Sequence, residues 1–255
     1  MEEPQLLIPQ IRCETRNWTT RITVTEDIPI ITCSTGRRLK RYVFTDREGN
    51  KTIACVYDPD IAILCPVLQQ YKVYDITNAQ VRPVQQEYRV LNTPTQWILQ
   101  RRTLIRMISE GIPNLRYFID GLTPFGLISK SLSKSQKSGG DQHSLAKSVD
   151  IMGIVVQFEE TKLVWVDNKQ NRVQQFTFVD MEKIPIKVSL WEEMLFAMGP
   201  TLETAARNFS VVVAKRLTVK NYGGFSLSSK NSSSFTIDPP IEAVAELKSW
   251  FDSLP

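Results

Sequence analysis

The chain has 255 residues, 42% of them hydrophobic and 23% charged, with a net charge of +4. That length allows two domains of ~100–120 residues, each with its own core. Its apolar runs are too short to span a bilayer, and its acidic start, MEEPQLLIPQ, lacks the charged-then-apolar pattern of a signal peptide, so an intracellular protein is expected.

The first strand is predicted over residues 18–24, where Trp-Thr-Thr-Arg-Ile-Thr-Val alternates with period two. A basic loop follows, with Arg37, Arg38, Lys40 and Arg41. Residues 39–45 and 52–57 read as strands, joined by a turn at Asp46-Arg-Glu-Gly-Asn50. Asp58 and Pro59 suit the start of a short helix over 58–68. Residues 71–81 and 87–99 are predicted as two further strands. Residues 109–147 are expected to link two domains and to be partly flexible. Their core, Ser129-Lys-Ser-Leu-Ser-Lys-Ser-Gln-Lys-Ser-Gly-Gly140, has linker composition.

A second set of elements starts at residue 148. Strands are predicted over 149–156, extended or paired by 162–166, then over 172–179, 186–191, 210–219 and 225–228. A helix is expected over 202–208, and another closes the chain over 241–251 with Val244, Leu247 and Phe251 on one side. Both halves thus read as five strands with an intervening helix, the order of the oligonucleotide-binding barrel, or OB-fold. The expectation is an all-β protein with short helices: one OB-fold at 9–108, the linker at 109–147, and a second OB-fold with a C-terminal helix at 148–255.

The two halves also repeat in register. Phe44 corresponds to Phe178, Asp46 to Asp180, Tyr57 to Trp191 and Tyr88 to Tyr222, all at one spacing. Paired aromatics on small β-domains suit stacking of unpaired bases, since every base has a π-face. In Lys187-Val-Ser-Leu-Trp191, alternation puts Val188 and Leu190 on one face and Lys187, Ser189 and Trp191 on the other. In residues 53–57 both faces are apolar and alternation decides little. Asp46 and Asp180 precede turns and read as turn formers rather than catalytic acids.

Phosphate contacts are expected from Arg37, Arg38, Lys40 and Arg41 in the first groove loop, and from Lys169 and Arg172 in its counterpart. Arg82 and Arg89 flank Tyr88, while Lys215, Arg216 and Lys220 approach the other groove loop; of these, Arg89 and Lys220 are taken as contacts. Glu159 and Glu160 argue against a uniformly basic channel. The four cysteines, Cys13, Cys33, Cys55 and Cys65, form no close pair, and the one histidine, His143, lies in a polar stretch. No zinc site, other metal or cofactor is therefore expected. No phosphate loop or nucleophile motif suggests an enzyme.

The chain resembles the tandem single-stranded-DNA-binding domains of the replication protein A large subunit. The resemblance is carried by Val149-Asp-Ile-Met-Gly-Ile-Val, Val188-Ser-Leu-Trp191, Asn221-Tyr-Gly-Gly224-Phe-Ser-Leu-Ser and Leu247-Lys-Ser-Trp-Phe-Asp252. The first half carries it in Asn17-Trp18-Thr19, Phe44-Thr-Asp46 and the Tyr57…Tyr88 pair. It implies a short paralogue or fragment that binds single-stranded DNA with little sequence specificity. Bases would stack on Tyr57, Tyr88, Trp191 and Tyr222. Roles in replication, recombination or repair, a nuclear location, and other replication or recombination proteins as partners are further implications. Two alternatives stay open: an OB-fold protein-interaction module, and single-stranded RNA binding.

Overall fold

A computed structural model of the chain describes residues 5–33, 35–109, 111–128, 148–221 and 225–254. They form two compact units, Met1–Phe118 and Ile119–Pro255. The segment expected to be a linker divides between them in its described part. Asn114 binds the first unit, donating from its backbone N to Thr23 Oγ1 at 2.9 Å and from Nδ2 to the Asp46 carbonyl at 2.9 Å. Phe125 and Ile128 belong to the core of the second. Residues 129–147 lie outside the described residues.

In the first unit the strands are β1 (Thr19–Thr32), β2 (Arg38–Thr45), β3 (Lys51–Tyr57), β4 (Val73–Thr77), β5 (Gln80–Pro83), β6 (Thr95–Leu99) and β7 (Leu104–Met107). Their order across the sheet is β5-β6-β3-β2-β1-β4-β7. The single strand expected over 71–81 is two, because Asn78 takes the left-handed region with φ 53°. That bend lets β4 pair with β1 while β5 pairs with β6, so the two halves of one bent ribbon close the barrel. Its interior holds Trp18, Ile22, Tyr42, Phe44, Val56, Tyr74, Ile76 and Trp97.

Two further expectations differ from the structure. The strand expected over 87–99 is present only as β6; Gln86–Tyr88 is a 3-10 turn. Pro83 and Pro94 bracket this stretch and cannot donate to a ladder. The expected helix over 58–68 is one turn, Ile61–Leu64, preceded by Asp60 rather than Asp58.

The second unit contains β8 (Ser148–Phe158), β9 (Lys162–Val166), β10 (Lys169–Val179), β11 (Ile186–Trp191), β12 (Val211–Asn221), β13 (Phe225–Ser228) and β14 (Ser234–Ile237). The order is β11-β13-β12-β8-β10-β9, and β11 also pairs with β10, which closes a five-stranded barrel. In both units the third barrel strand runs parallel to the last, β3 with β6 and β11 with β13. The helix Glu192–Arg207 follows Trp191 directly and includes Pro200, so it is far longer than the 202–208 expected. It buries Met194, Leu195, Leu202, Ala205 and Ala206 against the barrel. The closing helix, Glu242–Asp252, lays Val244 and Leu247 on Ile154 and Val211. Both units are OB-folds, all-β with short helices.

The repeated aspartates organise turns. Asp46 is buried, and its Oδ1 accepts from the backbone N–H of Glu48 and Asn50, both at 3.0 Å, while Oδ2 accepts from Ile8 N at 2.9 Å. Asp180 accepts from Phe125 N at 3.1 Å and Glu182 N at 3.0 Å. Asp46→Ala would strand several buried donors at once. It is expected to lower stability by ~1–3 kcal/mol in urea denaturation, with Asp46→Asn costing less.

Candidate nucleic-acid interface

Within each unit, strand register sorts side chains between the barrel interior and its outer face. In the first, Leu39 pairs with Tyr57, Arg41 with Cys55 and Val43 with Ile53. Cross-strand partners share a face. Leu39, Arg41, Val43, Ile53, Cys55 and Tyr57 therefore lie outside the barrel, opposite Tyr42, Ala54 and Val56 within it. This outer face is itself apolar: Ile28, Ile31, Leu39, Val43, Ile53, Cys55 and Ile98 cluster there, with Val90 and Leu91 packed on them.

Tyr57 stands half-buried at the edge of that cluster. The Arg37 guanidinium lies 5.2 Å above its ring, which couples a cation to a π-face. Burial raises the Tyr57 phenol above its ordinary value, so the ring stays neutral. Burial likewise pushes the Cys55 thiol up to about 12 and makes it unreactive near neutral pH. Tyr88 sits on its turn with 67% of its surface exposed, reached from the segment that covers the outer face.

The four basic residues predicted for this loop separate. Arg37 and Arg41 lie on Tyr57's side. Arg38 grips Asp58, Nε to Oδ2 at 2.9 Å and Nη2 to Oδ1 at 3.1 Å. Lys40 is buried and its ammonium pairs with the Asp27 carboxylate. Lys40 was expected on the loop, but β2 begins at Arg38, and alternation then turns Lys40 inward. Arg89 is exposed and donates from Nε to the Val84 carbonyl at 3.3 Å.

In the second unit Val173 pairs with Trp191, Gln175 with Ser189 and Thr177 with Lys187. These share the outer face, while Val188, Leu190, Phe176 and Phe178 fill the core. Trp191 is half-buried; its backbone N–H donates to Ser229 Oγ at 3.2 Å, and its buried indole N–H has no partner among the described residues. Tyr222, the expected second platform, lies outside the described residues.

The β9–β10 hairpin turns through Asp167 and Asn168, both at positive φ. Its register places Lys169 and Lys162, paired with Val166 and Val173, on the face of Trp191. Arg172 pairs with Leu163 and lies on the opposite face, beside exposed Trp165. The two residues predicted together as phosphate contacts thus point to different sides. Lys220 is exposed. Lys215 and Arg216 are buried, and Arg216 donates to the Ser232 carbonyl at 2.6 Å and Ser234 Oγ at 2.9 Å.

Prediction from sequence did not single out Lys162 or Lys187. The Glu159 carboxylate joins them, accepting from Lys162 Nζ at 2.6 Å and Lys187 Nζ at 2.8 Å. Lys187's alternation with Trp191 was the available signal. These two hydrogen bonds hold the Glu159 carboxyl at about 2. A depressed carboxylate stabilises the fold above its ordinary range, and that contribution fades as pH falls through about 2. Side-chain carboxyl NMR is expected to show Glu159 titrating last among the glutamates.

Comparison with known proteins agrees with this architecture. Residues 141–238 match the sequence model of the replication protein A OB domain. The chain is 22% identical over 248 residues to a replication protein A 70 kDa DNA-binding subunit of Oryza sativa subsp. japonica, covering 93% of this chain and 36% of that protein. It is 24% identical over 246 residues to a 70 kDa DNA-binding subunit of the same name from Arabidopsis thaliana, covering 93% and 37%. The structure of a replication protein A heterotrimer bound to ssDNA contains a chain that superposes with a TM-score of 0.75 at 20% identity, over 97% of this chain and 55% of that one. This chain spans only 36–37% of the length of the two curated relatives.

Proposed function

We propose that this replication protein A large-subunit-like chain binds single-stranded DNA with little sequence preference. Bases stack on Tyr57 and Tyr88 of the first barrel and on Trp191 and Tyr222 of the second. Arg37, Arg41, Lys169 and Lys220 supply phosphate contacts, with Arg89 near Tyr88. The observation that carries the reading is the placement of Trp191. Val188 and Leu190 already fill the core, so the indole is held on the outer face among Lys187, Ser189 and Gln175. A large aromatic on a polar face is a platform for something outside the fold.

The relatives' names and the heterotrimer's bound ssDNA support the same substrate. Replication, recombination or repair as the process, the nucleus as the place, and other replication proteins as partners belong to this proposal. The chemistry is binding and needs no catalytic step.

A competition assay tests it. A labelled oligo-dT of about thirty nucleotides spans two OB-folds. Unlabelled oligo-dT is expected to displace the probe, and a duplex of equal length is not. An RNA oligomer in the same assay reads the sugar preference. Equal displacement by duplex would reduce the interaction to general polyanion attraction. Absence of any complex would favour barrels that dock protein.

A further inference from the structure

Resting on the single-strand reading, we infer that Lys162 and Lys187 form a phosphate subsite, occupied in the free protein by the carboxylate of Glu159. The geometry is that of an anion held between two cations. One carboxylate oxygen takes Lys162 at 2.6 Å and the other takes Lys187 at 2.8 Å. Two non-bridging oxygens of a phosphodiester would make the same pair of contacts.

The position fits a strand running past Trp191. Lys162, Val173 and Trp191 form one cross-strand row, since Val173 pairs with both. At ~4.8 Å between strands, Lys162 is rooted ~10 Å from Trp191. Lys187 lies on the same face of β11 as Trp191, ~13 Å along the strand. Both lysines keep over half of their side-chain surface exposed, at 61% and 51%, so a phosphate can reach them. Glu159 itself is held by its backbone, donating from N to the Gln175 carbonyl at 2.9 Å and accepting at its own carbonyl from Gln174 Nε2 at 3.0 Å. Its carboxylate is free to swing away while the chain stays fixed.

Such an arrangement tempers affinity. The lysines meet the strand already neutralised, so a phosphate must displace Glu159 and gains less than it would from free cations. Exposed ion pairs are weak enough to exchange. Fewer counterions are also released, so the salt dependence is shallower than the number of basic residues suggests.

The test compares wild type, Glu159→Gln, Glu160→Gln and Lys162→Ala/Lys187→Ala by oligo-dT anisotropy across a salt series. Glu160 is exposed and carries the same charge one residue further on, which controls for net charge. Glu159→Gln is expected to bind about 3- to 10-fold tighter at low salt, as two ion pairs are released. Its log-log salt slope should steepen by ~1, approaching the ~0.7 per neutralised phosphate of single strands for two lysines. Glu160→Gln should change affinity less than about twofold. Adding the two alanines to Glu159→Gln should erase the gain. If wild type binds and Glu159→Gln is no tighter than Glu160→Gln, the subsite is wrong and the single-strand reading survives. If wild type does not bind, both fall together.

Discussion

Trp191→Ala combined with Tyr57→Ala is expected to weaken oligo-dT binding by ~30-fold or more. Each stacked base contributes ~1–3 kcal/mol by alanine substitution, so one lost platform in each barrel removes ~2–6 kcal/mol. The loss should be one of binding alone. Both rings are only half-buried, and the backbone hydrogen bond from Trp191 to Ser229 does not need the indole. A urea midpoint close to wild type would confirm that. Trp191→Phe keeps a π-face and should retain most of the affinity, whereas Trp191→Leu should not. Unchanged affinity in the double alanine variant would rule out stacking as the source of binding.

The largest stability effect is expected at Trp97→Ala, ~3–5 kcal/mol. Trp97 is 1% exposed, packs its ring 4.9 Å from Trp18 and 6.2 Å from Phe44, and sits on β6 between β3 and β5. Removing it empties the first barrel where that barrel closes. Domains of this kind have ~5–15 kcal/mol in total, so this unit would unfold at markedly lower urea. Trp165→Ala is the contrast. That side chain is 73% exposed, and its loss should stay within ~0.5 kcal/mol. A cost under ~1 kcal/mol at Trp97 would mean that the first core is not organised around it.

Much of the architecture was legible in residue patterns. The strands matching β2, β3, β8, β10 and β11 follow period-two alternation or apolar runs, and the in-register repeat identified two like barrels. The long helix escaped because Gly199 and Pro200 read as breakers, while Met194, Leu195, Leu202, Ala205 and Ala206 hold it against the barrel. Tertiary packing overrode local propensity there. The bend at Asn78 was likewise invisible as a change of sheet partner. Trp191's outward placement followed from its own alternation. Tyr57's did not, since both faces of β3 are apolar, and only pairing with Leu39 in β2 resolves it. The basic run at 37–41 was read as one loop cluster, but strand alternation divides it. Glu159 and Lys187 are distant in sequence, and only barrel closure brings them together.

The central claim is that these two barrels hold an unpaired strand by stacking and by phosphate contacts. The most direct measurement is fluorescence anisotropy of a labelled oligo-dT of about thirty nucleotides, titrated with the protein from low to moderate salt. The predicted result is tight binding at low salt that weakens linearly on a log-log scale as salt rises, with substantial affinity left after extrapolation to high salt because stacking is not ionic. No binding at low salt, or binding that extrapolates to nothing once the electrostatic part is removed, would contradict it.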